Sequence, residues 1–402
     1  MKAITKKITV GFLTMAVIGM MSMSLPGVLP VHAADPITSI PITKTLSKAA
    51  GVNTPQATFT FAYEKYSKDN NTAKAGECPE LWAASPSVSY SAADTEDADN
   101  NEPGIQLKKN GTIDLNAVNF TSPGQYTYRI TEVKSGLTED GDANTTETMT
   151  YSEASYLLSL FVTGDAANGY KVTGAFVKKE KDNGGTAVTE EKAEVNADTG
   201  LPFENRYDKT SGNKPDPNNP LPDDPANNKG LMITKTVTGA HADSSTSFEF
   251  KLTITKPEGT SAAAASAPKY VIIHAGTPAT AEQAAALTYG EAKSITLKHG
   301  DRVVLQDVLL GSNVKVEETN SQGYVPSVVV TGATGNADID SLKTAGVVIN
   351  DGNTGNTVAF TNTQQTTTGI LIHNLPFILL IAGAVTGIAV FARNRRRALP
   401  AA

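Results

Sequence analysis

Residues 41–46 read Pro-Ile-Thr-Lys-Thr-Leu, and residues 232–237 read Met-Ile-Thr-Lys-Thr-Val. Each is a short alternation of apolar and β-branched residues, the pattern of a half-buried strand. Each also carries a lysine inside the apolar series. The correspondence continues along the chain. Phe59-Thr60-Phe61 answers Phe248-Glu249-Phe250, Tyr128-Arg129-Ile130-Thr131-Glu132 answers Val314-Lys315-Val316-Glu317-Glu318, and Phe203-Glu204-Asn205 answers Phe360-Thr361-Asn362. A repeat that keeps its order implies one domain fold used twice. Between the copies, 208–229 reads DKTSGNKPDPNNPLPDDPANNK. Its five prolines among Asp and Asn oppose a packed element and predict an extended, semi-stiff linker. The expected division is a domain over 34–207, a linker over 208–229 and a domain over 230–363, both domains of ordinary size.

Within both domains, short runs rich in Thr, Val, Tyr and Ile are punctuated by Gly, Asn and Asp, as at 58–61, 156–162, 170–177, 294–297 and 325–330. An Ala-rich patch at 279–287 is the one competing helical pattern. The expectation is an all-β protein of two tandem immunoglobulin-like β-sandwich domains.

Strand side chains alternate, so residues of like parity share a face. Ile40, Ile42 and Leu46 form the apolar set of the first strand, and Lys44 has their parity; Leu231, Ile233 and Val237 take Lys235 with them. Tyr126, Tyr128 and Ile130 point with Glu132, and Val314 and Val316 with Glu318, whereas Glu317 has the solvent parity. Leu201 and Phe203 share a face with Asn205, and Val358 and Phe360 with Asn362. Each domain is thus expected to bury one Lys, one Glu and one Asn, from a first, a middle and a last strand.

Burying an ammonium and a carboxylate is unfavourable unless they pair or neutralise. One reading is a buried Lys–Glu ion pair with the Asn as hydrogen-bond partner. The other is chemical. Apolar burial lowers a lysine pKa and raises a glutamate pKa, by up to roughly 3–5 units. A neutral amine is a nucleophile, and a protonated Glu polarises the Asn carbonyl and shuttles protons. Proximity lowers the barrier further. The product is a Lys–Asn isopeptide bond with ammonia released, tying the first strand to the last. Recurrence of the set in the same order favours the chemical reading.

The two ends have a different character. Residues 1–33 open with Lys2, Lys6 and Lys7, continue through an apolar stretch and close on Val31-His32-Ala33. This is the pattern of a secretory signal peptide, which places the mature N-terminus at Ala34. At the other end, 375–392 is 18 residues long with Thr386 its only polar side chain, and Arg393, Arg395, Arg396 and Arg397 follow. A helix of that length spans about 27 Å, enough for a bilayer core, and the basic cluster holds its end in the cytoplasm. Just before it, Gln365-Thr366-Thr367-Thr368-Gly369 resembles a sortase sorting motif, keeping the Thr-Gly pair and lacking the Leu-Pro half. Cleavage between Thr368 and Gly369 removes the span; the alternative is a permanent membrane anchor.

Without its two ends the chain loses seven cations and no anions, leaving 27 Lys and Arg against 41 Asp and Glu, a net charge of −14. Such an acidic surface excludes nucleic acid as a natural partner and suits a soluble, mutually repelling surface protein. Cys78 is the only cysteine, so no intrachain disulfide forms, and its polar setting, Gly76-Glu77-Cys78-Pro79, reads as a loop with a bland free thiol. No cofactor or metal is expected: His241, His274 and His299 are isolated, and no nucleophile elbow, zinc spacing or phosphate loop is present. Apart from self-formed isopeptide bonds, no enzyme activity is expected.

Signal peptide, paired Lys/Glu/Asn sets, linker and sorting tail together resemble the major (backbone) pilins of Gram-positive bacteria, of the streptococcal pilin isopeptide-linkage domain type. The segment from Val316-Glu317-Glu318-Thr319 to Gly323-Tyr324 is similar to the pilin E-box, without its Ala-Pro and one residue shorter. The resemblance implies CnaB-like sandwiches, bonds Lys44–Asn205 with catalytic Glu132 and Lys235–Asn362 with catalytic Glu318, and a sortase that joins Thr368 to a lysine of the next subunit. The acceptor is expected late in the first domain, among Lys178, Lys179 and Lys181. Parity with Tyr170, Val172 and Phe176 turns Lys178 inward, which singles out Lys179. Implied partners are identical subunits, the pilus sortase, ancillary pilins and the peptidoglycan cell wall, with a host receptor as a further candidate. The implied location is the cell surface, covalently wall-anchored, the precursor being membrane-inserted by its C-terminal helix. The alternative is a wall-anchored adhesin or ancillary pilin that binds a host ligand.

Overall fold

The computed structural model of the chain describes residues 35–94, 105–142, 145–189, 192–193, 200–212, 229–262, 264, 266–277, 279–338, 343–352, 355–365 and 367–397. The expected signal peptide, 1–33, and most of the expected linker, 213–228, lie outside them.

The first domain is built from β1 (Ser39–Lys48), β2 (Gln56–Lys68), β3 (Ser87–Tyr90), β4 (Ile105–Asp114), β5 (Gly124–Glu132), β6 (Leu137–Thr138), β7 (Thr145–Thr150), β8 (Ser155–Asp165), β9 (Gly169–Lys181), β10 (Lys192–Ala193) and β11 (Leu201–Ser211). One sheet has the order β4-β1-β11-β7; the other runs β10-β9-β8-β5-β2-β3, with β6 on β2. Side chains of alternating parity fill the space between the sheets, Tyr90, Tyr126, Tyr128, Tyr156, Phe59, Phe61 and Phe203 being the bulkiest.

The second domain comprises β12 (Leu231–Thr238), β13 (Phe248–Thr255), β14 (Lys269–His274), β15 (Thr280–Ala281), β16 (Ala285–Ala286), β17 (Ala292–Leu297), β18 (Arg302–Gln306), β19 (Asn313–Glu318), β20 (Val325–Thr331), β21 (Thr334–Asp338), β22 (Lys343–Val348) and β23 (Asn356–Thr363). Its sheets are β15-β14-β18-β12-β23-β20, with β16 on β14, and β17-β13-β19-β22-β21. The Ala-rich patch forms no helix. Its two short strands pair with β14, Ala281 opposite Ile273 and Ala285 opposite Tyr270, because an exposed sheet edge supplies backbone partners that an isolated helical turn lacks.

In both domains the first and last strands are parallel neighbours: β1 with β11, and β12 with β23. Two strands can lie parallel and adjacent only if the chain between them crosses over. Here that crossover is the rest of the domain.

Strand β11 continues to Ser211, four residues into the segment read as linker. Tyr207, Lys209 and Ser211 extend the inward parity of Asn205. The strand then meets the second domain: Leu310 N–H donates to Lys209 O at 2.9 Å, and Ser211 N–H to Val308 O at 2.8 Å. The buried Lys209 Nζ lies 3.1 Å from both Asp351 oxygens and 2.5 Å from Asp140 Oδ2. Asp351 also anchors the first domain through its backbone, its N–H donating to Gly51 O and its carbonyl accepting from Asn53 Nδ2.

At the C-terminus, α1 (Thr367–Arg397) contains a 19-residue apolar window, Leu375–Arg393, with none of it buried against the domains. It is long and apolar enough to cross a membrane. The helix begins before Thr368 and Gly369 and takes both into its first turn.

Candidate functional site

Lys44 occupies the middle of β1, and the parallel register sets it opposite Phe203, with Leu46 opposite Asn205. Lys44 and Asn205 therefore leave neighbouring strands on the same, inward face. Glu132, the last residue of β5, reaches across from the other sheet. Lys44 Nζ is 2.7 Å from Glu132 Oε2, and Asn205 Nδ2 donates to Glu132 Oε1 at 2.6 Å. The Lys44 and Glu132 side chains are both fully shielded from solvent. The amine lies 4.7 Å from the Phe59 ring centroid, and in the same core the Phe61 and Phe203 rings meet at 5.0 Å with their planes tilted by 48°.

The second domain repeats the plan. Lys235 is opposite Phe360, and Val237 is opposite Asn362. Lys235 Nζ sits 3.1 Å from each Glu318 oxygen, and Asn362 Nδ2 donates to Glu318 Oε1 at 2.6 Å. Phe248 and Phe250 stand 4.1 and 5.5 Å from the amine. Glu318 is buried, while Glu317 beside it is half-buried.

Burial dominates the electrostatics. Desolvation lowers Lys44 to about 8 against the pull of the Glu132 charge, and likewise lowers Lys235 to about 8 against Glu318. Desolvation also raises Glu132, opposed by Lys44 and by the Asn205 hydrogen bond. The proton between amine and carboxylate is thus more evenly shared than in water. An uncharged amine can attack the adjacent carboxamide carbon while the acid gives a proton to the departing nitrogen.

Two further groups at the first site carry no periodic sequence signal. Ser152 N–H donates to Asn205 Oδ1 at 2.7 Å, and the Ser152 hydroxyl donates to Asn183 Oδ1 at 2.6 Å. Both residues lie in turns, where parity says nothing. A cleft of about 700 Å³ runs beside the site, with Glu132, Ser152, Arg129, Glu180 and Lys181 on its walls.

The remaining expected positions fall differently. Lys179 is not the outward-facing residue that unbroken alternation would make it, because β9 carries two irregularities. Val172 pairs with Val162 and Gly174 with Phe161, leaving Thr173 as an extra residue; Lys179 pairs with Tyr156 and Lys181 with Ser155, leaving Glu180 extra. The first bulge reverses the faces, so Phe176 and Lys178 are exposed, Val177 is buried and Lys179 is half-buried; Lys181 is exposed. Cys78 is buried rather than in an open loop; its Sγ lies 3.4 Å from Ser67 O, and desolvation raises its pKa. His274 is not isolated: Nε2 is 2.9 Å from Glu282 Oε1 and Nδ1 is 3.3 Å from Asp301 Oδ1.

Residues 40–208 match a family described as the Spy0128-like isopeptide containing domain, and residues 229–364 match a family described as a domain of unknown function (DUF7601). No curated protein matches the chain. Among solved structures it is similar to the major pilin from Streptococcus pyogenes, at 20% identity over 81% of this chain and 98% of that one, with a TM-score of 0.33. It is also similar to the major pilin T-13 from Streptococcus pyogenes, at 18% identity over 83% and 99% of the two chains and a TM-score of 0.31. A pilus-presented adhesin, Spy0125 (Cpa), aligns at 13% identity over 81% and 100%, with a TM-score of 0.26.

Proposed function

With residues 40–208 a member of the Spy0128-like isopeptide domain family, we propose that the chain is the structural subunit of a covalent Gram-positive pilus shaft. A sortase cleaves after Thr368 and transfers its carbonyl to a lysine of the next subunit, in the run Lys178, Lys179 and Lys181. Ancillary pilins and the peptidoglycan complete the assembly. Each domain is stapled by a self-formed bond, Lys44–Asn205 with Glu132 and Lys235–Asn362 with Glu318.

The observation that carries the reading is the recurrence of one buried Lys–Glu–Asn constellation, on the same three strand positions and with the same register offset, in two diverged domains. In each, the neutral amine bonds to the Asn carboxamide carbon, the acid protonates Nδ2 and ammonia leaves. The staple joins first and last strands, so tension follows a covalent path and the sheets need not unzip. Closing a loop of this length also restricts the unfolded chain, by about 4–5 kcal/mol for a comparable disulfide, and reduction cannot undo it.

The intact mass of residues 34–368 is the test. It should fall short of the sequence mass by two ammonias, and Glu132→Ala or Glu318→Ala should each restore one. A mass equal to the sequence mass would remove the mechanism. In hot SDS extracts of cell wall, a shaft subunit gives a high-mass ladder; a single monomeric band would instead support the wall-anchored adhesin.

A further inference from the structure

The two sites differ in what holds the asparagine side-chain oxygen. Asn205 Oδ1 holds the Ser152 N–H at 2.7 Å, whereas Asn362 Oδ1 is buried with no hydrogen-bond partner among the described residues. We propose that the Ser152 N–H is an oxyanion donor for bond formation in the first domain, that Asn183 is the residue positioning it, and that the second domain, without such a donor, closes its bond more slowly. This rests on the isopeptide reading above.

When Lys44 Nζ bonds to Asn205 Cγ, the carbonyl electron pair moves onto Oδ1. A donor already aimed at that oxygen stabilises the developing charge without reorganisation, and most strongly where water is excluded; Ser152 is 2% exposed. The same hydrogen bond fixes the amide's orientation. With Oδ1 on Ser152, Nδ2 points to Glu132 at 2.6 Å, so the leaving nitrogen faces its proton source. The steps balance: Nζ gives up one proton on forming its bond to carbon, Glu132 passes one proton to Nδ2, the Cγ–Nδ2 bond breaks, ammonia departs, and Glu132 ends protonated as it began.

Asn183 holds this arrangement with one oxygen. Its Oδ1 accepts from the Ser152 hydroxyl at 2.6 Å and from Glu204 N–H at 3.1 Å, and its backbone carbonyl accepts from Glu153 N–H at 3.0 Å. The turn bearing the donor is thereby tied to the strand bearing Asn205. Only acceptor capacity is used at that side-chain oxygen, so a carboxylate there can take the same two bonds.

The experiment takes residues 34–368 unfolded from inclusion bodies, refolds them, and follows intact mass from the point at which folding is complete. Glu318→Ala isolates the first bond and Glu132→Ala the second. The first should form at least about tenfold faster, since loss of a single oxyanion donor elsewhere slows reactions by about 10²–10³. In the Glu318→Ala background, Asn183→Ala should slow ammonia loss by about tenfold or more, and Asn183→Asp should restore it. In the Glu132→Ala background, Asn183→Ala should change nothing. Equal rates for the two bonds, or Asn183→Asp as slow as Asn183→Ala, overturns the proposal while leaving the isopeptide reading intact. No ammonia loss in any variant overturns both. Should Asn183→Ala fail to fold, the comparison of the two single-bond chains still decides.

Discussion

At the residue scale, the lysines show how one side chain takes opposite roles in different surroundings. Lys44, over Phe59, and Lys235, over Phe248 and Phe250, each bond to a single carboxylate, so desolvation wins and both fall to about 8. Lys209 is as well buried, yet it faces Asp351 and Asp140 together, and its pKa is raised although desolvation opposes this. Two carboxylates hold the ammonium proton more tightly than water does; one carboxylate beside aromatic rings lets it go at lower pH. The pH response of an unbonded chain follows. A lysine at about 8 when folded and 10.5 when unfolded releases its proton first in the folded state. Between those values the unfolded chain binds more protons, and stability rises with pH. A chain with Asn205→Ala and Asn362→Ala keeps both lysines and cannot form either bond. Its stability deficit against the same chain with Lys44→Met and Lys235→Met should narrow, by on the order of 1–3 kcal/mol per lysine, as pH rises from below 8 toward 10.5. Urea unfolding across that window checks it; a deficit independent of pH would mean that the amines are already solvated.

At the element scale, parity assigns faces correctly wherever a strand is regular and fails where it bulges. The regular strands β1, β5, β11, β12, β19 and β23 deliver Lys44, Glu132, Asn205, Lys235, Glu318 and Asn362 to the inward faces that alternation indicates. On β9 the extra Thr173 inverts everything beyond it. No composition signal marks that bulge, because it is a property of how β9 pairs with β8 and not of β9 alone. An amine-reactive reagent on the folded chain should therefore modify Lys178 and Lys181 ahead of Lys179, and with both proposed bonds formed Lys44 and Lys235 should stay unmodified even after unfolding. Peptide mapping reads the order, and early labelling of Lys179 alone would contradict the register. Ser152 and Asn183 are equally illegible, since both lie between strands, where contacts with residues distant in sequence place them.

At the scale of the whole molecule, the two sandwiches meet through the end of β11 rather than through a free tether. The Lys209–Asp351 pair is the centre of that junction, and Asp140 completes it from a half-exposed position. Removing one partner of a buried pair leaves an uncompensated charge. Lys209→Met leaves the buried Asp351 carboxylate without its Lys209 partner and should destabilise the chain by about 3–5 kcal/mol, and Lys209→Met with Asp351→Leu by much less. Chemical denaturation of the two variants makes the comparison, and equal losses would show that the charges do not matter. Because the Lys209 pKa is raised above 10.5, the pair's contribution is present below that value and fades as pH climbs through the raised one.

The sequence alone determined the all-β class, the duplication, and which six polar side chains share faces with apolar ones. These follow from period-two alternation and from order, both local properties that a linear text records. Only the tertiary structure decided that the lysine and asparagine strands lie side by side and parallel, that the glutamate comes from the opposite sheet, that Lys178 and Lys179 take the faces opposite to those alternation gives, and that the supposed linker begins as a strand. Those depend on which strands pair and where register slips. Such outcomes are settled by contacts between residues far apart in the chain, which no local pattern can encode.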